Sequence, residues 1–347
     1  MDLIEFREKG MYCSVGQFYI DPYKGVDKAI ISHGHGDHAR YGSKHYLAHP
    51  DTVAIMNVRL GKVNNYQGLE YGEEININGV KISLHPAGHI IGSSQVRLEY
   101  QGEVWVFGGD YKTQDDGISQ AFVPVPCHTF ISECTFGLPI YNWKPQAEIF
   151  EDIHNWWLNN QQRGLASVIL AYSLGKAQRI IHNLDLNTGP VYTHGSIYQL
   201  NKALREVGQN IPELPKVDLS IKNKGLYRNA LIIAPPSSAG SPWLKRFSPF
   251  SLGVCSGWMA LRGSKRRQAA DKGFVLSDHA DWVGLNSAIA ATGCERVIAT
   301  HGYTQIFAAW LREKGYDAFA QKTLFEDEEQ SKEEVLPNVE NENGEVN

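Results

Sequence analysis

The chain has 347 residues, 42% hydrophobic and 20% charged, an ordinary globular composition long enough for one large domain or two. No apolar run of about 18 residues occurs, so no membrane helix is expected. The opening MDLIEFREKG lacks the apolar core of a secretion signal. The net charge of −5 hides an asymmetry: residues 326 to 347 hold nine acids and one Lys, net −8, which leaves +3 on residues 1 to 325. That acidic, Asn-rich tail is expected to be disordered. The mildly basic remainder is weak support for a polyanionic partner. Five scattered cysteines (Cys13, Cys127, Cys134, Cys255, Cys294) form no CxxC and read as reduced thiols of a cytoplasmic protein.

In chain order, the apolar run from Ala29 to Ser32 reads as a short strand, and HGHGDH (His33 to His38) follows it. His33, His35, Asp37 and His38 are metal ligands by type, and Gly34 and Gly36 let the backbone turn tightly between them. Imidazole suits zinc, copper, iron or nickel, and a carboxylate adds a hard oxygen. Four donors this close cannot all reach one ion in a relaxed loop. The spacing suits two ions side by side, His33 and His35 on one, Asp37 and His38 on the other. A merely solvated His-rich loop is the bland alternative, and the donors further along argue against it. His89 in PAGHIIGSS follows the alternating VKISLHP. RLEY and VWVF around Gln101-Gly102-Glu103 read as a β-hairpin. Asp110 follows that hairpin behind two glycines, and its carboxylate can bridge two ions, as no His can. Residues 1 to about 140 thus read as short strands separated by turns.

Near residue 145 the character changes. KPQAEIFEDIHNWWLNNQQ reads as an amphipathic helix with Pro145 near its start. SVILAYS reads as a buried strand and LGKAQRIIHNLDL as a helix. PVYTHGS, ALIIAPP and FSLGVCSGW continue the alternation expected of a parallel sheet. At FVLSDHADW strand-end loops with histidines resume. A helix to about Ala291, the strand RVIAT leading into His301, and a helix to about Lys314 complete the chain. The fold class is therefore α/β. Residues 1–144 and 271–325 form one domain, 145–270 an α/β domain inserted into it, and 326–347 the tail.

HGHGDH matches the HxHxDH signature of the metallo-β-lactamase fold residue for residue, and the chain resembles that family. AYSLGKAQRII is similar to the helix-opening motif of its β-CASP branch, whose members cut nucleic acids. Glu133 in FISECTFG resembles that branch's acidic motif, and His279 in SDHAD and His301 in THG resemble its last two histidine motifs. The match spans nearly all of the chain up to the tail. It implies an αββα sandwich with an inserted β-CASP domain and two divalent ions, zinc and/or manganese. By this resemblance His33, His35 and His89 hold one ion, Asp37, His38 and His301 the other, and Asp110 bridges. Asp21 in FYIDP resembles the family's early acidic residue, which supports the metal loop from behind. Read alone, Asp21 is equally a turn former before Pro22. CSGWM (Cys255 to Met259) and the compact length resemble the bacterial ligase-associated DNA exonucleases. That implies DNA repair, single-stranded DNA, a 5′-to-3′ direction and a functional association with a DNA ligase. One departure matters: eukaryotic DNA-cutting members usually carry an apolar residue at the final histidine. RNA-cutting members keep the histidine, as here, so an RNA-processing β-CASP ribonuclease is the alternative.

Two divalent ions neutralise a phosphodiester and bring the pKa of a bridging water toward about 7 for in-line attack. Asp37, His279 and Glu133 make up the catalytic set. His279 is the candidate acid for the leaving alkoxide, and Glu133 keeps that imidazole protonated. Their bland readings are a helix-cap neighbour and a strand-end carboxylate. Phosphate contacts are expected from Ser173, Gly175 and Lys176, which open a helix, and from Ser256 and Gly257. Further contacts are expected from Arg262, Lys265, Arg266 and Arg267, with Lys112 just past Asp110. A basic cluster is as often only a solvated face. Trp258 reads as a core residue before a base-stacking one, and His194 as structural or, second, substrate-facing. A small-molecule hydrolase of the same fold needs no inserted domain, and a non-catalytic binding subunit needs no full ligand set. Both therefore rank below a nuclease.

Overall fold

The computed structural model describes residues 2–62, 65–221, 224–261 and 269–323. The acidic tail and the cluster Arg262, Lys265, Arg266 and Arg267 lie outside the described residues. Among those described, the strands form three sheets. In the first, β1 (Glu5–Arg7), β2 (Gly10–Cys13), β3 (Phe18–Ile20), β4 (Lys28–Ile30), β5 (His45–Ala48) and β6 (Tyr66–Gly68) lie side by side in that order. The second begins with β7 (Glu74–Ile77), β8 (Val80–Pro86), β9 (Ser94–Tyr100), β10 (Glu103–Phe107) and β11 (Thr129–Cys134). The third holds β12 (Ala166–Leu170), β13 (Val191–Thr193), β14 (Leu231–Ala234), β15 (Phe250–Cys255) and β16 (Lys272–Phe274). Its order is β13-β14-β12-β15-β16, parallel throughout, and it runs past residue 270 to Phe274. The chain then returns to the second sheet, where β17 (Arg296–Gly302) pairs with β11 and β18 (Asp317–Ala320) with β17. The expected hairpin pairs β9 with β10 at Tyr100↔Glu103, and Gln101 and Gly102 take φ of 51° and 86° at its turn.

Side-chain alternation turns these sheets into layers. Trp105 and Phe107 of β10 pack into one core with Phe18 and Ile30 of the first sheet. Val106, between them, packs on the other side with Leu285, Ile289, Phe307 and Leu311. Burial of each such large apolar side chain contributes about 1.5–3 kcal/mol. Leu285 and Ile289 lie on the helix Trp282–Thr292, Phe307 and Leu311 on the helix Thr304–Glu313. Met56, on the helix Pro50–Arg59, packs with Ala29 and Ala48 of the first sheet. The layers therefore run helix, sheet, sheet, helix. The third sheet packs against the helices Gln146–Gln162, Lys176–Asn183 and Gly195–Glu206, in a core that also takes in Ile55, Ile90 and Ile91.

The helix Pro50–Arg59 corrects the expectation of strands alone before residue 140. Val53 and Ile55 favour strands, but the start of the segment favours a helix. His49 accepts the Asp51 amide at 3.3 Å, and Pro50 stands at the first turn. Burial of Ala54, Ile55 and Met56 then decides.

β8, β10, β11 and β17 all run in one direction, because β8 and β10 are each antiparallel to β9 while β11 and β17 are parallel to β10. Their C-terminal ends open on one edge, and His89, Asp110, Glu133 and His301 all lie at or just beyond those ends.

Candidate metal centre

The structure brings every candidate metal ligand to that edge. Ligand atoms of His33, His35, His89 and Asp110 all lie within 4.8 Å of one another. The same holds for Asp37, His38 and His301, and for Asp110, Glu133 and His279. His301 gets there through a β-bulge. Glu133 pairs with Thr300 and Cys134 with Gly302, so His301 is the extra residue, at φ +58°. Bulges of this kind re-aim a side chain at the end of a strand. Cys134 Sγ donates to the His301 carbonyl at 2.7 Å. The His301 ring stacks on His38, with centroids 5.5 Å apart and planes 9° from parallel.

The hydrogen bonds behind the rings fix which nitrogens face inward. His89 Nδ1–H donates to the Asp278 carbonyl at 2.8 Å, and His35 Nε2–H to the Leu174 carbonyl at 3.2 Å. Ser32 Oγ–H donates to Asp21 Oδ2 at 2.5 Å, so Ser32 Oγ accepts His33 Nδ1–H at 3.0 Å. Each ring therefore turns a bare lone pair toward the centre. His33 Nε2 and His89 Nε2 each lie 3.1 Å from His35 Nδ1. Three lone pairs so close repel one another unless a cation lies among them. Asp110 Oδ1 is buried with no hydrogen bond among the described residues, and Oδ2 lies 3.6 Å from His33 and 3.4 Å from His38. Nitrogen and carboxylate donors in this set fit divalent ions such as zinc or manganese.

Charge follows the same logic. Burial holds His33 and His89 well below the usual imidazole range, and the other histidines add to it. Burial also opposes the charged form of His38, but Asp37, Asp110 and Asp21 outweigh it and hold its pKa well above that range. Burial works against the Asp37 carboxylate, yet the adjacent His38 brings it to about 2. Asp21 is fully buried and takes the Ser32 amide at 2.7 Å and His38 Nδ1 at 2.7 Å, so it fastens the metal loop from behind. His279 Nδ1 lies 2.9 Å from both carboxylate oxygens of Glu133, whose Oε1 also accepts the Tyr111 amide at 2.8 Å.

The expected phosphate contacts fare less evenly. Ser173 lines a cavity of about 530 Å³ together with His35, Gly36, His194 and Ser196. The Gly175 amide is occupied by its own helix, donating to Gln178 Oε1 at 2.7 Å. Lys176 is fully buried, with Nζ 3.6 Å from Asp278 Oδ2, and is corrected from a phosphate contact to an internal ion pair. Ser256 and Gly257 are buried just past β15. Ser256 Oγ accepts the Trp258 amide at 3.1 Å, and a Cβ on Gly257 would fall 2.4 Å from Phe136 Cζ. Lys112 is buried too, donating to the Gln114 carbonyl at 2.7 Å, and burial with Arg179 nearby brings its pKa down to about 8. Lys176 and Lys112 each follow a strand, as a phosphate loop does, but packing turned both side chains inward. Trp258 packs on Phe136, with centroids 4.8 Å apart, as a core residue. His194 caps the helix Gly195–Glu206, accepting the Ser196 amide at 3.2 Å, and also faces the cavity. Sequence reading missed Ser32, Leu174 and Asp278 as partners of the ligand rings. Two of the three act through backbone carbonyls, which carry no residue signature.

No protein-family model matches the chain. It is 29% identical over 314 residues to "Probable DNA ligase" of Opitutus terrae, a match covering 90% of this chain and 30% of that protein. It is 27% identical over 226 residues to "RNase J-like protein" of Methanocaldococcus jannaschii, covering 54% of this chain and 52% of that protein. It is 25% identical over 215 residues to "Endoribonuclease ysh1" of Schizosaccharomyces pombe, covering 50% of this chain and 28% of that one. The chain thus spans about half the length, or less, of these curated relatives. A solved structure described as a protein of unknown function from Enterococcus faecalis V583 shares the fold, with a TM-score of 0.59 at 12% identity over 86% of this chain and 79% of that one. The three curated relatives support the metallo-β-lactamase and β-CASP resemblance carried by the motifs of this chain.

Proposed function

We propose that the chain is a metal-dependent nuclease, a DNA exonuclease acting in repair with 5′-to-3′ polarity. The observation that carries the reading is the convergence of seven ligand-type side chains, with the lone pairs of His33, His35 and His89 turned toward one another. His33, His35 and His89 would hold one ion, Asp37, His38 and His301 the other, and Asp110 both. Bound zinc or manganese would neutralise the phosphate and lower the pKa of water, supplying hydroxide to attack it. The residues of the chain do the rest. Asp21 and Ser32 fix ring tautomers. Glu133 takes Nδ1–H of His279 and favours the charged imidazole, so that His279 can pass a proton from Nε2 to the departing alkoxide. The division into 1–144, 145–270 and 271–325 sets the inserted β-CASP domain beside the centre, and the cavity holding Ser173 and His35 is the proposed entrance for single-stranded polymer. Arg262, Lys265, Arg266 and Arg267 are the proposed outer phosphate contacts.

DNA is supported by the Opitutus relative, named as a probable DNA ligase, whose match covers 90% of this chain. The same relative supports a functional association with a ligase. The second reading, an RNA-processing nuclease, rests on the retained His301 and on the relatives named as ribonucleases. End-labelled single strands of DNA and RNA of one sequence, with zinc or manganese added, separate the two. Stepwise shortening of DNA with RNA spared is expected. Faster cutting of RNA reverses the choice of polymer, and no cutting of either with both ions bound sinks the nuclease reading.

A further inference from the structure

The inserted segment reaches the ligand rings in two places. The Leu174 carbonyl, just before the helix Lys176–Asn183, accepts Nε2–H of His35. The second route runs through Asp278, whose main-chain carbonyl accepts Nδ1–H of His89 at 2.8 Å. The Asp278 side chain is buried between two cations of that same helix. Lys176 Nζ lies 3.6 Å from Oδ2 and Arg179 Nη1 3.4 Å from Oδ1, while Arg179 Nη1 also donates to the Ser277 carbonyl at 2.6 Å. Packing is tight at the same seam. A Cβ on Gly175 would fall 2.3 Å from Ile90 Cγ2, one residue past His89. The Asp278 carboxylate is buried, and these two cations face one oxygen each. A buried carboxylate that loses a cation partner is strongly destabilised. A backbone shift at Asp278 that relieved this cost would carry its carbonyl, and hence the aim of His89, with it.

We propose that Lys176 and Arg179 are positioning residues of the metal centre: by clamping Asp278 they aim His89, and with Leu174 behind His35 they make the inserted segment a working part of the site of His33, His35 and His89. In the other site, of Asp37, His38 and His301, Asp21 backs His38 and the bulge aims His301. The clamp therefore acts on one ion and not on both. This inference rests on the proposed two-ion centre. Partners behind metal ligands typically change affinity 10- to 100-fold when lost.

The test is stepwise titration of chelated full-length protein with cobalt(II), followed by its absorption spectrum and by calorimetry. Wild type, Arg179→Gln, Asp278→Asn and the milder Arg179→Lys are compared, each with its metal-free melting curve. Arg179→Gln and Asp278→Asn should weaken one of the two binding steps about 10- to 100-fold and leave the other unchanged. Arg179→Lys, which keeps the charge and is expected to stay folded, should weaken the same step by less. Equal weakening of both steps, or none in a folded variant, overturns the clamp. If Arg179→Gln does not fold, an unchanged pair of steps in Arg179→Lys and Asp278→Asn overturns it as well. Wild-type protein that takes up fewer than two ions sinks the metal-centre reading itself and not the clamp alone.

Discussion

His279 presents Nδ1 to both carboxylate oxygens of Glu133 at 2.9 Å, across 146 residues of sequence. Glu133 is nearly fully buried, and its Oε1 is also held by the Tyr111 amide, so the carboxylate is fixed while the imidazole reads its charge. The arrangement suits a proton donor whose charge is supplied from behind. General acid catalysis typically contributes about 10²- to 10⁴-fold. His279→Ala should therefore lose about that much on nucleic acid with metal content unchanged. On a nitrophenyl phosphodiester, whose leaving group departs without a proton, the loss should shrink. Glu133→Gln should follow the same pattern more weakly. Loss of a metal ion in His279→Ala would assign His279 as a ligand instead.

Asp110 is the only carboxylate among the described residues that shares clusters with both the His33, His35 and His89 group and the His279 group, and it lies 3.4 Å from His38. Elemental analysis of metal-replete wild type is expected to give two ions per chain. Asp110→Ala should lose metal from both sites and with it activity. A variant that keeps both ions would remove the bridging role.

Gly302 follows the bulged His301 at φ +70°, and a Cβ there would sit 2.4 Å from the Cys134 carbonyl oxygen. A side chain at such a backbone angle costs about 1–3 kcal/mol before any clash. Gly302→Ala should lower the stability of the metal-free protein by at least that order in urea unfolding. It should also weaken the ion served by His301. Unchanged stability would mean the strand end relaxes without cost.

The ligand histidines of the metal-free protein should pull stability in opposite directions on the two sides of their ordinary pKa of about 6.5. The folded pKa values of His33 and His89 are depressed by burial, so the unfolded chain binds more protons as pH falls below about 6.5. Their contribution is then lost on the acid side. His38 has the opposite sign: Asp37 and Asp110 raise its folded pKa despite burial, so its contribution is full below about 6.5 and is lost as pH rises through the folded value. Melting temperatures of chelated protein across pH 5 to 9 check both limbs. A pH dependence above 6.5 that is the same in His38→Ala as in wild type contradicts the His38 assignment.

The metal loop was legible in the sequence because its chemistry is local. HGHGDH packs four ligand-type residues and two glycines into one turn, and no tertiary contact is needed to read them. The strands that lead to His89, Asp110 and His301 were legible from alternation and apolar runs, as was the hairpin at Gln101-Gly102. The helix Pro50–Arg59 was not, because its β-branched residues outweighed a cap formed by one His and one Pro. Residue type alone also misread Lys112 and Lys176. Each sits where a phosphate contact belongs in the chain, and burial against Gln114 and Asp278 decided otherwise. What only the tertiary structure decided is orientation. Backbone carbonyls of Leu174 and Asp278, distant in sequence from His35 and His89, select which nitrogen each ring turns inward, and a one-residue slip between β11 and β17 aims His301. Ligand identity is a property of side chains and survives in the sequence. Ligand direction depends on which backbone groups lie behind each ring, and only the folded chain fixes that.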